Sequence, residues 1–69
     1  MILLQAIRLD AYGRFQYRID ASGRPRFLTT DPKEAADMLS RLGVADVFRL
    51  LAHVREWGSI DIIPDSVRS

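Results

Sequence analysis

The sequence predicts an α+β fold in the order β-β-β-α-α-β, and three observations predict it. A five-residue phrase occurs twice, at residues 10–14 as DAYGR and at residues 20–24 as DASGR. Asp accepts hydrogen bonds from the amides ahead of it and Gly supplies a left-handed residue, so each copy predicts a hairpin turn between antiparallel strands. Apolar residues then recur at helical spacing in two segments, and a short Ile-rich run follows them.

A three-stranded antiparallel meander accounts for the N-terminal part of the chain. The first strand, residues 2–9, is apolar on both faces near its start, which indicates a central strand. The second, residues 14–20, alternates apolar and polar side chains, so one of its faces belongs to the core. Pro25 lacks an amide donor, so the third strand, residues 24–29, is predicted to be an edge strand or to start irregularly.

The length of the first loop decides which face of the first strand is buried, because a one-residue slip moves every side chain to the other face. A three-residue loop, residues 11–13, pairs Leu9 with Phe15 and Ile7 with Tyr17. Loops of two or four residues place Leu9 and Ile7 beside polar or Arg side chains instead. We therefore predict the three-residue loop, with the helices covering a face made of Leu3, Ile7, Leu9, Phe15, Tyr17, Ile19 and Phe27.

The same loop length at the second turn sets the register of the third strand. It places Asp20 opposite Arg24 and Arg18 opposite Arg26. Opposed arginines repel each other, so this arrangement costs stability unless an anionic group lies nearby.

A helix start follows the third strand at residues 30–34 (TDPKE). Asp31 is predicted as the N-cap, Pro32 as the first helical residue, and Glu34 as the residue that closes a capping box. The helix is predicted to run to Leu42, with Gly43 as its C-cap. Its apolar arc is formed by Ala35, Met38, Leu39 and Leu42.

A second helix and a short strand complete the predicted fold. The helix spans residues 45–57 and ends at Gly58, and Phe48 falls outside its apolar arc. Residues 59–63 predict a strand that Pro64 stops. Residues 1–64 are thus predicted to form a single domain, followed by a short tail, residues 65–69. The side chains that the second helix is predicted to bury are Val47, Leu50, Leu51, Val54 and Trp57.

Composition narrows the function classes. The chain has 69 residues, 48% of them hydrophobic, and no cysteine, which excludes disulfides and thiolate metal sites within it. The apolar N-terminus is too short for a membrane span and has no basic region before it, so we expect a cytoplasmic protein. Because the chain begins with Met1, we also expect it to be a complete small protein.

Charge is unevenly distributed along the chain. Residues 1–30 contain five Arg against two Asp, whereas residues 31–69 contain five basic against seven acidic residues. The predicted sheet is therefore the basic part, and its uncovered face is the predicted binding surface. The predicted partner-binding residues are Ile2, Leu4, Arg8, Tyr12, Arg14, Gln16, Arg18, Arg24, Arg26, Leu28 and Phe48.

Three uses of this surface are open. Apolar side chains beside Arg are enriched at protein interfaces, so the partner is a protein with an acidic surface or a second copy of the chain. Arg clusters also bind phosphate backbones, which makes a nucleic-acid-binding regulator the alternative function. In a third interpretation the arginines simply pair with Asp10, Asp20 and the acidic helices.

Catalytic and metal-binding residues are not predicted. His53 lies one helical turn from Trp57, and no carboxylate is spaced to orient its ring, so we interpret it as a packing residue. Glu56, Asp61 and Asp65 match no calcium or magnesium loop. We therefore expect no enzyme activity and no cofactor, and interpret the chain as a protein-binding inhibitor, adaptor or regulatory subunit. Small phage-encoded inhibitors of host proteins are one class built this way.

Overall fold

The computed structural model describes residues 1–63 and confirms the predicted fold class. Pro64 and the predicted tail lie outside the described residues, as does the predicted domain limit. The elements are β1 (Ile2–Arg8), β2 (Phe15–Ala21), β3 (Phe27–Thr29), α1 (Pro32–Arg41), α2 (Val47–Trp57) and β4 (Ser59–Ile62).

The four strands form one antiparallel sheet in the order β3-β2-β1-β4. The predicted central position of the first strand is confirmed, because β1 lies between β2 and β4. The predicted edge position of the third strand is also confirmed, and β3 begins only after Pro25, at Phe27. Both helices pack on the same face of this sheet, and the core lies between the two layers.

The predicted register of the first hairpin is wrong by one residue. Ala6 lies opposite Tyr17 and Arg8 lies opposite Phe15, and the N–H of Leu9 donates to the carbonyl of Arg14 at 2.8 Å. The loop therefore has four residues instead of three. Every side chain of β1 consequently lies on the face opposite to the predicted one.

The reason for this error is that the helices cover only the first half of β1. Ile2 and Leu4 are 3% and 0% exposed on the helix side, whereas Ile7 and Leu9 are 44% and 49% exposed on the other side. The predicted register was chosen to bury Ile7 and Leu9. Burying Ile2 and Leu4 instead removes more apolar surface from water, because the helices lie over that end of the strand.

The predicted register of the second hairpin is also wrong, by two residues. Ile19 lies opposite Phe27, and Arg18 lies opposite Leu28. A shift of two residues leaves each side chain on its predicted face. Arg26 is therefore not opposite Arg18, and the predicted pair of directly facing arginines does not form.

Helix α1 begins largely as predicted. The carboxylate of Asp31 accepts from the N–H of Lys33 at 2.9 Å, and Pro32 is the first helical residue. The predicted capping box closes through an additional residue, because Glu34 accepts from the hydroxyl of Thr29 at 2.9 Å. That hydroxyl oxygen in turn accepts from the N–H of Asp31 at 3.1 Å, so the cap ties α1 to the end of β3.

The C-terminus of α1 closes in a Schellman motif. Gly43 takes a positive φ of 84°, and the N–H of Val44 donates to the carbonyl of Leu39 at 3.0 Å. Both of these apolar side chains are buried, which adds the hydrophobic contact that usually accompanies this motif. The predicted role of Gly43 as the residue that ends the helix is confirmed.

Helix α2 begins later than predicted and ends where predicted, at Trp57 with Gly58 as its C-cap. It begins at Val47 because Asp46 takes a left-handed conformation with φ 55°. The predicted burial of Trp57 is wrong: its side chain is 70% exposed. Trp57 is the last helical residue, and Gly58 turns the chain directly into edge strand β4, so no described element lies beyond it to cover the indole.

The core lies between the sheet and the two helices. Helix α2 contributes Leu51 and Val54, which are its two buried residues. From α1 the core takes Ala36 in addition to the predicted Ala35 and Leu39. The buried apolar residues are Ile2, Leu4, Tyr17, Ile19, Ala35, Ala36, Leu39, Val44, Leu51, Val54 and Ile62.

Candidate functional site

One face of the sheet is turned away from both helices, and we call it the open face. Side chains alternate between the two faces along each strand, so the observed register assigns every strand residue to one face. The same alternation places Leu9, Arg14 and Arg26, which lie just beyond the strand ends, on the open face. The open face comprises Leu3, Gln5, Ile7, Leu9, Arg14, Gln16, Arg18, Asp20, Arg26, Leu28, Ser59 and Asp61.

Two of the predicted partner-binding residues cannot contribute to any surface. Ile2 and Leu4 are buried in the core, and the prediction that they lie on the uncovered face is wrong. The cause is the one-residue register error in β1. Arg8 is likewise on the helix side, opposite Phe15, although it lies beyond the helices and is exposed.

The remaining predicted residues fall into two groups. Tyr12 and Arg24 lie exposed in the two turns, and Phe48 lies exposed on α2, away from the sheet face. The structure does bring the other predicted residues together on the open face. These are Arg14, Gln16, Arg18, Arg26 and Leu28.

Sequence reasoning missed two sets of open-face residues: four on β1 and directly after it, and Asp20, Ser59 and Asp61 on the other strands. The first set includes Leu3, Ile7 and Leu9, which the prediction assigned to the buried face. It also includes Gln5, which the prediction assigned to neither face. The signal that could have identified the first set is the apolar run at residues 2–4. An apolar start on both faces indicates that this end of the strand, and not the end at Leu9, lies under other elements.

Two of the arginines on the open face are held in ion pairs. Arg14 Nε lies 2.8 Å from Asp10 Oδ2, and Arg26 Nε lies 3.0 Å from Asp20 Oδ1. The interpretation in which the arginines pair with Asp10 and Asp20 is thus confirmed for these two. Exposed pairs of this kind contribute about 0.2–1 kcal/mol each, and they also cancel much of the positive field that a phosphate backbone would need.

Arg18 occupies the middle of the open face. It lies between Gln5 on β1 and Leu28 on β3, and its Nη1 donates to Gln5 Oε1 at 3.3 Å. Its Nε is buried and has no hydrogen-bond partner among residues 1–63. An unsatisfied buried donor costs about 1–3 kcal/mol, so the guanidinium is held in a position that a further acceptor would stabilise.

Apolar side chains lie along the open face on both sides of this arginine, and Leu9 is the farthest from it, beyond the end of β1. Ile7, Leu9 and Leu28 are 44%, 49% and 50% exposed, and Leu3 is half-buried. Gln16 lies opposite Ile7 and contributes a polar group at the centre. The open face therefore combines apolar side chains with one central cation and neutral polar groups, and it also carries the two ion pairs and Asp61.

Asp10 stabilises the turn at one end of the open face. The hydrogen bond from the Arg14 side chain, followed by the one from the Arg14 amide, holds the pKa of the Asp10 carboxyl below its usual value of 3.8. The amide of Tyr12 adds a third hydrogen bond, at 2.9 Å. The carboxylate is therefore a structural acceptor for the turn and not a free charge for a ligand.

The single histidine of the chain lies on α2. His53 lies beside Trp57 with the ring centroids 6.4 Å apart. No group of three His, Asp or Glu side chains within residues 1–63 is arranged to hold a metal ion. In the same residues, neither helix is long and apolar enough to cross a membrane.

Comparison with protein-family models, with curated proteins and with solved structures finds no match to this chain.

Proposed function

We propose that this protein is a non-enzymatic binding module whose open face docks on another protein. Such a module acts as an inhibitor, an adaptor or a regulatory subunit, and an inhibitor encoded by a phage and directed at a host protein is one form of it. We further propose that it works in the cytoplasm, which accords with its lack of cysteine.

The observation that supports this proposal best is the composition of the open face around Arg18. Exposed Leu28 lies opposite a half-buried arginine, and exposed Ile7 lies diagonally across from it. The Nε of this arginine has no hydrogen-bond partner among residues 1–63. Arginine beside apolar contacts is typical of the residues that dominate binding energy at protein interfaces. A partner would cover these apolar side chains and supply the acceptor that Arg18 lacks.

The partner's chemistry follows from the same residues. A carboxylate is the best acceptor for a guanidinium, since charge-assisted hydrogen bonds are roughly twice as strong as neutral ones. The apolar side chains of the open face require apolar side chains around that carboxylate. The proposed partner surface is therefore an acidic residue set among apolar ones, on a different protein.

A nucleic-acid-binding role has less support. A phosphate backbone needs several uncommitted cations, but Arg14 and Arg26 already hold carboxylates and Asp61 lies on the same face. The single partner carboxylate proposed above needs only one cation. Sheets that bind single strands stack bases on exposed aromatic side chains. Here Phe15, Tyr17 and Phe27 lie on the helix side instead.

The test is an affinity capture from lysate that compares surface variants. We expect the wild-type chain to retain a partner protein after nuclease treatment, and Ile7→Asp and Arg18→Glu to lose it. Phe48→Asp is the matched control, because Phe48 is 64% exposed but lies on α2. Circular dichroism should show the same fold for all three variants, since each changes a side chain outside the core.

Other outcomes would contradict the proposal in different ways. A partner that also binds Ile7→Asp places the interface elsewhere, and capture that nuclease abolishes favours nucleic acid. Light scattering after size exclusion decides whether the partner is a second copy. A dimer that Ile7→Asp converts to a monomer would show that the open face serves self-association.

A further inference from the structure

An apolar groove lies on the helix side of the sheet, in the layer opposite the open face. It is bounded by the end of β2, the turn that leads to β3, and the second half of α1, and its volume is about 250 Å³. Its lining residues are Ile19, Ala21, Arg24, Pro25, Arg26, Phe27, Met38 and Leu42.

The sequence explains why this space is not filled. β2 has seven residues but β3 has three, because Pro25 cannot donate to the ladder and the strand begins only at Phe27. The side chain at the end of β2 is that of Ala21, which is too small to reach α1. Met38 and Leu42 therefore remain half-buried, with part of their apolar surface open to solvent.

The charged residues that line the groove are both basic, Arg24 and Arg26. No acidic residue lines it, and the guanidinium of Arg26 is occupied by Asp20. Arg24 takes part in none of the three ion pairs that residues 1–63 form. An uncommitted cation thus stands directly beside an apolar cavity.

From this juxtaposition we infer that the groove binds an acidic peptide segment, which inserts one apolar side chain and places a neighbouring carboxylate on Arg24. The volume lies below the about 300–1,000 Å³ typical of sites for drug-sized ligands and suits a single side chain. Met38 favours such an occupant because its flexible thioether adapts to the shape of the inserted group. The groove shares only Arg26 with the open face, and the guanidinium of Arg26 is held by Asp20, so the inference does not depend on the open face.

The experiment is an NMR titration of the ¹⁵N-labelled full chain with three acetylated and amidated tripeptides. The Glu-Phe-Glu peptide should shift the amide resonances of Arg24, Phe27 and Leu42. The Lys-Phe-Lys peptide, with the opposite charge, and the Glu-Ala-Glu peptide, without the apolar side chain, should each bind several-fold more weakly. Equal affinity for all three peptides, or no shift up to the solubility limit of Glu-Phe-Glu, would overturn the inference.

Matched variants locate the site. Arg24→Glu should weaken Glu-Phe-Glu binding several-fold, whereas Arg49→Glu, a charge reversal at another exposed position, on α2, should leave it unchanged. Ala21→Leu fills the groove and should abolish the shifts. If Ala21→Leu fails to fold, the pair of arginine variants decides alone, and an equal loss in both would show that only the overall charge matters.

Discussion

The two turns of the meander have nearly the same sequence but different structures. In the first copy of the phrase, the Asp10 carboxylate accepts from the N–H groups of Tyr12 and Arg14, at 2.9 and 3.2 Å, inside a four-residue loop. In the second copy, the N–H of Arg24 donates at 3.1 Å to the carbonyl of Ala21. The second turn therefore begins one residue later than the first, with Asp20 still inside β2.

The residue that follows each phrase explains this difference. Phe15 follows the first copy and pairs with Arg8 in the ladder. With the same geometry in the second copy, Pro25 would lie opposite Arg18 inside the ladder, where its missing N–H would interrupt the pairing. The observed register instead moves Pro25 to the turn and brings Arg26 beside Asp20, where they form an ion pair. The repeated five-residue sequence thus determines that a turn forms, whereas the residue that follows it determines the register of the next strand.

The largest expected effect comes from shortening the two loops by one residue. Deletion of Ala11 would impose a three-residue loop and turn Ile2 and Leu4 out of the core. Burial of one such side chain is worth about 1.5–3 kcal/mol, and a domain of this size has about 3–5 kcal/mol in total, so we expect an unfolded chain by circular dichroism. Deletion of Ser22 reverses only the three residues of β3 and should cost about 1–3 kcal/mol.

Ala11→Ser is the control for the first deletion, because it changes the same position and preserves the loop length. It should unfold in urea at nearly the wild-type midpoint. A chain that lacks Ala11 and still folds with the wild-type midpoint would show that loop length does not set the register of β1.

The next effect concerns the glycines of the two turns. Gly13 and Gly23 have φ values of 86° and 77°, and a Cβ added to either would meet nothing within 4 Å. Substitution by Ala should therefore cost only the backbone strain of the left-handed region, about 1–2 kcal/mol, at both turns alike. For a domain of this size, each kcal/mol lowers the melting temperature by about 4–8 °C, which calorimetry measures.

Asn at the same two positions sharpens this comparison, since Asn tolerates the left-handed region better than Ala. Both Asn variants should melt between the wild type and the Ala variant. If the Ala variant at one turn melts at the same temperature as the wild type, that turn does not hold its glycine at a positive φ.

The elements of the fold could be predicted because their signals are local. Asp31 and Pro32 determine a helix start within two residues of each other, and Pro25 alone keeps β3 at an edge. The register was predicted wrongly because the choice between burying Leu3 and burying Leu4 depends on where two helices, distant in sequence, cover the sheet. The apolar run at residues 2–4 is only an indirect sign of that position. The predicted open-face residues on or beside β2 and β3 were consequently correct. Those on β1 were wrong, because they belong to the helix side.

The smallest effect concerns the carboxylate that distinguishes the first turn. The Arg14 guanidinium and the turn amides lower the pKa of Asp10 from its usual 3.8, because they bind the charged form in the folded state. A lowered folded-state pKa stabilises the protein above the unfolded value, and this contribution is lost as pH falls through the folded one. Asp10→Asn should therefore have a lower urea midpoint than the wild type at pH 7, and the gap should close below pH 3.8. Arg14→Gln should narrow the gap only in part, since the two backbone amides still bind the carboxylate. A gap that persists unchanged down to pH 2 would show that the charge of Asp10 does not hold the first turn together.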